Sequence, residues 1–144
     1  METTRAAFAD KHAGAKIFVY QQSDGSVMAA AWPDRLVVNI DGGVHSRDLI
    51  AVLRQVRAAG LPASDAFSAL IDLSTFTGEI DWNDIRQVKD VMPKGDSMTN
   101  KNAYIVRNRF FAMAAKIVSG LFTQTEHVAF TTEEEARRWL GWKD

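Results

Sequence analysis

Apolar residues along the chain come in short runs broken by turn residues, and their spacing changes once. The first runs are strand-like. "KIFVYQQ", from Lys16, is rich in β-branched and aromatic residues. Asp24-Gly25 follows and predicts a two-residue hairpin, because glycine accepts positive φ. "VMAAAW" reads as the returning partner, Trp32-Pro33-Asp34 as a second turn, and "RLVVNI" as a third strand. An N-terminal antiparallel β-meander is therefore expected.

The period then switches. Leu49, Val52, Leu53 and Val56 recur at helical spacing, with Arg47, Arg54 and Arg57 off that face. Ser46 is the expected N-cap, and Asp48 suits the positive end of the helix dipole. Gly60 and Pro62 stop the helix. "FSALIDL" has strand length. Asp81 is expected to cap a second helix that shares Trp82, Ile85, Val88 and Met92 on one face and ends at Pro93. After the polar loop "KGDSMTNKN", "AYIVR" reads as a buried strand. A helix with a wide apolar face is expected from about Asn108 to Leu121, then a short strand, "HVAF". Thr132 and Glu135 have capping-box spacing. Ala136, Trp139 and Leu140 give the final helix a buried side, and Gly141 closes it.

The predicted fold class is α/β. The N-terminal antiparallel meander leads into alternating β/α units, giving a mixed, mostly parallel sheet with about four helices and right-handed crossovers. Residues 1–15, polar and alanine-rich, read as an N-terminal arm, and 16–142 as a single domain.

Composition narrows the function classes. The chain has 144 residues, which suits one domain. Its formal net charge of -1 supplies no field to gather a polyanion or an anionic membrane. With no cysteine, thiolate chemistry, disulfides and iron–sulfur ligation are excluded. The first residues lack the apolar segment of a secretory signal, and Phe110 to Phe122 is too short to span a bilayer. The expected location is the cytoplasm.

No set of residues converges on catalysis. The three histidines, His12, His45 and His127, lack metal-ligand spacing. "GDSM", Gly95 to Met98, resembles the serine block of some esterases but falls late, in a polar loop. "DGGVHSRD", Asp41 to Asp48, joins strand to helix and could offer amides to an anion, yet neither a phosphate-loop nor a dinucleotide pattern is present. A plain turn competes with that reading. Asp72 and Asp81 invite an acid–base pair. The simpler reading is that Asp72 satisfies loop amides while Asp81 caps its helix. Lys94, Lys101, Arg107 and Arg109 bracket one loop and strand, but Asp90 and Asp96 lie among them in sequence, so nucleic-acid binding is not expected. "TTEEEARR" reads as a helix start with acids at its positive end. The helix holding Phe110, Phe111, Met113, Ile117, Val118, Leu121 and Phe122 needs cover on more than one side, from the N-terminal segment, from self-association or a partner, or from an apolar ligand or membrane surface.

Three stretches carry a family resemblance. "RLVVNIDGGVHSRDL", "ALIDLS" and "HVAFTTEEEARRWLG" stand in an order that resembles the STAS superfamily, and more closely its divergent STAS/SEC14-like branch, similar to the sporulation anti-sigma-factor antagonist. The resemblance extends over about residues 16–142. The resemblance implies a small α/β domain, a mixed sheet with helices largely on one face, that acts by binding proteins rather than by catalysis. In the antagonists a serine is phosphorylated where the helix after the Asp-Leu-Ser strand begins. This chain has Asp81-Trp82-Asn83-Asp84 there, with no hydroxyl; Ser74, Thr75 and Thr77 lie upstream.

The sequence thus leads to a non-catalytic regulatory or protein-interaction module without the serine phospho-switch. The expected contact residues are Ser74, Thr75, Phe76, Thr77, Trp82, Asn83, Phe110 and Phe111. The expected partner is another protein or a second copy of the chain. No cofactor, metal, nucleic acid or membrane contact is expected. The alternative is a binder of a small apolar or lipid-like ligand held between the Phe110–Phe122 helix and the sheet.

Overall fold

The structure is a computed structural model and describes residues 2–63, 67–91, 100–107 and 125–142. Among the described residues ten elements follow one another: α1 (Glu2–Lys11), β1 (Lys16–Gln22), β2 (Gly25–Trp32), β3 (Arg35–Gly42), α2 (Ser46–Ala58), β4 (Ser68–Asp72), α3 (Trp82–Val91), β5 (Asn100–Ile105), β6 (Thr125–Phe130) and α4 (Glu133–Leu140). The six strands form one sheet in chain order, β1-β2-β3-β4-β5-β6. β1, β2 and β3 pair antiparallel, while β3 to β6 run parallel. The mixed sheet expected from the sequence is the one observed. The expected helix from Asn108 to Leu121, the "GDSM" loop and Lys94 lie outside the described residues.

The first turn differs from the prediction. Gln22 pairs with Gly25, so Ser23 and Asp24 form the hairpin loop and Gly25 already belongs to β2. Glycine is needed there for another reason. Gly25 faces Gly42 across the β2–β3 ladder, and a methyl group at either would collide with the opposite backbone. The second turn holds as read: Trp32 pairs with Arg35 around Pro33-Asp34.

Both faces of the sheet are covered. On one, Val27, Ala29, Leu36, Val38 and Ala69 pack beneath Val52, Leu53 and Val56 of α2, with Val88 and Val91 of α3 at the margin. On the other, Met28, Ala30, Val37, Leu70 and Ala103 lie under Phe8 of α1 and Ala136 of α4. This departs from helices largely on one face. The alternation of strand side chains explains it, because the central strands are apolar on both sides and so bury both.

The N-terminal arm of the sequence reading is helix α1, with Phe8 and His12 buried. Its apolar residues, Ala6-Ala7-Phe8-Ala9, form a block rather than a stripe, so periodicity gave no signal. α4 starts as expected. Thr132 is its N-cap, accepting the Glu135 amide and donating to the Glu135 carboxylate. Gly141 ends it in the left-handed region, at φ 79. The chain then turns Trp142 back to the sheet. Its Nε1–H donates to Ser68 Oγ at 2.9 Å, and its ring is flanked by Arg35 at 4.2 Å and Arg137 at 5.5 Å.

Candidate functional site

The loops at the C-terminal ends of parallel strands are where an open α/β sheet places its ligands. Two of them meet here, one joining β3 to α2 and the other β4 to α3. The second is stitched to the first by backbone. Gly42 donates to Thr75 O at 3.0 Å, and Thr77 donates back to Gly42 O at 2.8 Å, a parallel bridge at the last residue of β3. Gly78 follows, and a side chain there would strike the Val44 carbonyl. The Ser46 amide donates to Glu79 O at 3.3 Å. The Ser74–Asp84 segment is therefore held by its backbone, with Thr75, Thr77, Glu79, Asp81 and Asn83 exposed.

Asp72 and Asp81 do not form an acid–base pair across this loop. Asp72 Oδ1 accepts the Ser74 amide at 2.9 Å. Asp81 Oδ1 accepts the Asn83 amide at 2.9 Å and caps α3. Both spend their lone pairs on local backbone, as the simpler reading had it.

Ser46 is not the cap of α2. His45 holds that position: its Nδ1 accepts the Arg47 amide at 3.2 Å, and the Asp48 carboxylate accepts the His45 amide at 2.9 Å. This frees the Ser46 hydroxyl to point at the neighbouring helix. It accepts the Asp81 amide at 2.9 Å and donates to Asp84 Oδ2 at 2.8 Å. One hydroxyl thus ties together the N-termini of α2 and α3. Pairing across 38 residues was not legible in the sequence.

Ser46, His45 and Asp84 together invite a nucleophile reading, and the geometry argues against it. In a hydrolytic triad the imidazole lies between the hydroxyl and the carboxylate. Here the carboxylate lies between them: Asp84 Oδ2 accepts a hydrogen bond from the Ser46 hydroxyl and stands 3.4 Å from His45 Nδ1. That nitrogen accepts the Arg47 amide, and an accepting imidazole nitrogen carries no proton to pass on. Ser46 is itself buried, at 6% exposure.

The expected contact residues separate in the structure. Phe76 is a correction: it is 7% exposed and part of the core beneath α2. Tethering of Thr75 and Thr77 to Gly42 turns the intervening ring inward, as alternation along an extended segment requires. Ser74 and Trp82 are half-buried; Thr75, Thr77 and Asn83 are exposed. Among the described residues Trp82, the first residue of α3, belongs to neither core cluster. Phe110 and Phe111 lie outside the described residues.

A second polar group sits on the α2 side of the sheet. Asn102 of β5 is in register with Ala69 and with His127 of β6, and Tyr104 follows two residues on. The Tyr104 hydroxyl is 2.7 Å from His127 Nδ1. Burial pushes the Tyr104 phenol well above its ordinary value, against a smaller opposing effect from its hydrogen bond with Asn102. Among the described residues no three His, Asp or Glu side chains could together hold a metal ion. Lys101, singled out as part of a basic set, hydrogen-bonds the Trp139 carbonyl at 3.4 Å and lies over the Trp139 ring.

The described strands thus form a six-stranded mixed sheet in chain order, with a backbone-stitched loop at the C-terminal end of β3. The SpoIIAA-like family profile matches residues 35–141, and the chain belongs to that family, within the STAS superfamily. Among solved structures it is similar to an uncharacterized protein of the DUF3478 family with a SpoIIAA-like fold from Shewanella loihica PV-4. The two share 17% identity over 88% of this chain and 94% of that one, with a TM-score of 0.56. That likeness speaks for the fold. No curated protein matches the chain.

Proposed function

We propose that this protein is a non-catalytic interaction module of the STAS type, which engages a partner protein or a second copy of itself through the Ser74–Asp84 segment. The observation that carries the reading is the setting of Trp82. It is half-buried at the start of α3, outside both cores among the described residues, on a helix whose N-terminus is fixed by Ser46. An aromatic side chain on a pre-positioned backbone is the usual form of an interface anchor. Thr75, Thr77 and Asn83 supply the polar rim around it.

The order of Ser46, Asp84 and His45 supports a binding role over a hydrolytic one. Control by phosphate at the start of α3 has no support either, because Asp81, Trp82 and Asn83 offer no hydroxyl. The ligand-binding alternative rests on the Phe110–Phe122 segment, which lies outside the described residues. A cytoplasmic location belongs to the same proposal. Among the described residues no helix is long and apolar enough to cross a membrane.

The test is association of Trp82→Ala and Asn83→Ala variants, by sedimentation velocity for self-association and by affinity capture from the native host. Both should lose binding at least tenfold, a difference of about 1.4 kcal/mol, with an unchanged circular dichroism spectrum. Wild-type association in both variants sinks the reading.

A further inference from the structure

His12 sits where α1 ends. It is buried, at 6% exposure, between Phe8 one turn earlier and Trp32 at the end of β2. The Phe8 and His12 ring centroids are 4.6 Å apart, and those of His12 and Trp32 5.9 Å, both edge-on. The polar tie between α1 and the rest of the domain is the Lys11 ammonium on Glu133 of α4 at 2.8 Å, and Arg137 holds the same carboxylate at 2.9 Å. The charges facing His12 are therefore Lys11 from its own helix and Arg137 and Glu133 from α4. β2 presents the Trp32 indole, with Arg35 over that ring at 5.8 Å.

We infer that α1 is a pH-released strap: a proton on His12, buried among aromatic rings and flanked by Lys11 and Arg137, undocks α1 and uncovers the sheet face formed by Met28, Ala30 and Val37. The face beneath is apolar and belongs to the α1–α4 core. Removing α1 also breaks the Lys11–Glu133 pair but leaves the Arg137–Glu133 pair within α4. The opening is thus confined to α1. The sheet keeps α4 on this face and α2 on the other.

The direction follows from the cost of a buried imidazolium. Burial first, then the charges of Lys11 and Arg137, hold His12 below the ordinary histidine range, with Glu133 opposing. The undocked segment binds the proton more readily than the docked one. Docking is therefore strongest above the ordinary value of about 6.5 and weakens as pH falls below it. With one proton involved, α1 protection falls by up to about tenfold per pH unit. The Glu133 carboxylate titrates lower, so the two effects fall in separate windows.

Amide hydrogen exchange of residues 5–11, corrected for intrinsic rates and followed from pH 7.5 to 5, tests this on the full chain. Protection of α1 should collapse below about pH 6.5 while β2, β3 and β4 stay protected. His12→Phe keeps a ring between Phe8 and Trp32 and should leave α1 protected throughout. Equal loss in His12→Phe, or constant α1 protection in wild type, overturns the inference. The His12 imidazole resonance, titrated by NMR in wild type, gives a reading that does not depend on the variant folding. Its midpoint should lie below about 6.5, within the range over which α1 protection falls, and titration with no change in α1 exchange overturns the inference equally.

Discussion

The Ser46 hydroxyl donates to Asp84 Oδ2 at 2.8 Å, joining the first turn of α2 to the first turn of α3. The same oxygen accepts the Asp81 amide, which is one of the donors a helix start leaves without an intrahelical partner. The bond matters because the Ser74–Asp84 loop ends there. With α2 seated on the sheet by Val52, Leu53 and Val56, the Ser46–Asp84 contact transmits that position to Trp82.

Ser46→Ala removes both hydrogen bonds and strands the Asp81 amide and one Asp84 oxygen. A cost of about 1–3 kcal/mol is expected, seen as a lower denaturant midpoint with an unchanged slope. Ser46→Thr keeps the hydroxyl and should recover part of the loss. Equal stability of Ser46→Ala and wild type would show that the bond does not hold the loop.

Phe76→Ala and Trp82→Ala should separate two residues that the sequence placed in one contact surface. Phe76 is core, and its truncation should cost about 3–5 kcal/mol. Trp82→Ala should cost clearly less while weakening association. Thermal melts beside the binding assay read both effects, and the reverse order would reassign the two residues.

Glu133 should contribute to the acid limb of stability. Burial opposes its ionisation, but hydrogen bonds from Lys11 and Arg137, together with their charges, outweigh this and hold the carboxyl below its ordinary range. A depressed carboxylate stabilises the fold above its unfolded value of about 4.3, and the contribution is lost as pH falls through the lower folded value. Glu133→Gln should therefore flatten the stability profile below about pH 4.3 and, by removing the charge that opposes Lys11 and Arg137 at His12, deepen the loss of α1 docking below about pH 6.5. An acid limb identical to wild type would place the effect elsewhere.

Tyr104 should stay protonated in alkali for as long as the sheet is folded, because burial penalises its phenolate. Tyr20 is the other tyrosine, so Tyr20→Phe leaves one reporter. Its phenolate absorbance should rise only together with the loss of far-ultraviolet ellipticity. Ionisation in the folded state would contradict its burial.

Helix α2 was readable because Leu49, Val52, Leu53 and Val56 follow one period, and three of the four are fully buried. Asp81 and Thr132 were readable as caps because capping is local in sequence. The failures are non-local. Ser46 and His45 are adjacent, and only the approach of α3 decides which caps α2 and which reaches across. Gly25 was assigned to a turn by its neighbour Asp24, whereas its smallness serves the approach of Gly42, 17 residues on. Phe76 resembled a loop aromatic until the Gly42 bridge showed that its segment continues beside β3.

The sheet adds its strands in the order in which the chain supplies them. On a ribosome, each new strand therefore finds its partner already in place at the growing edge, and no gap must be kept open for a later arrival. Nascent sheet can therefore consolidate strand by strand as the chain is supplied. The Trp142–Ser68 bond needs the segment after α4, which must reach back to the first residue of β4 to make it.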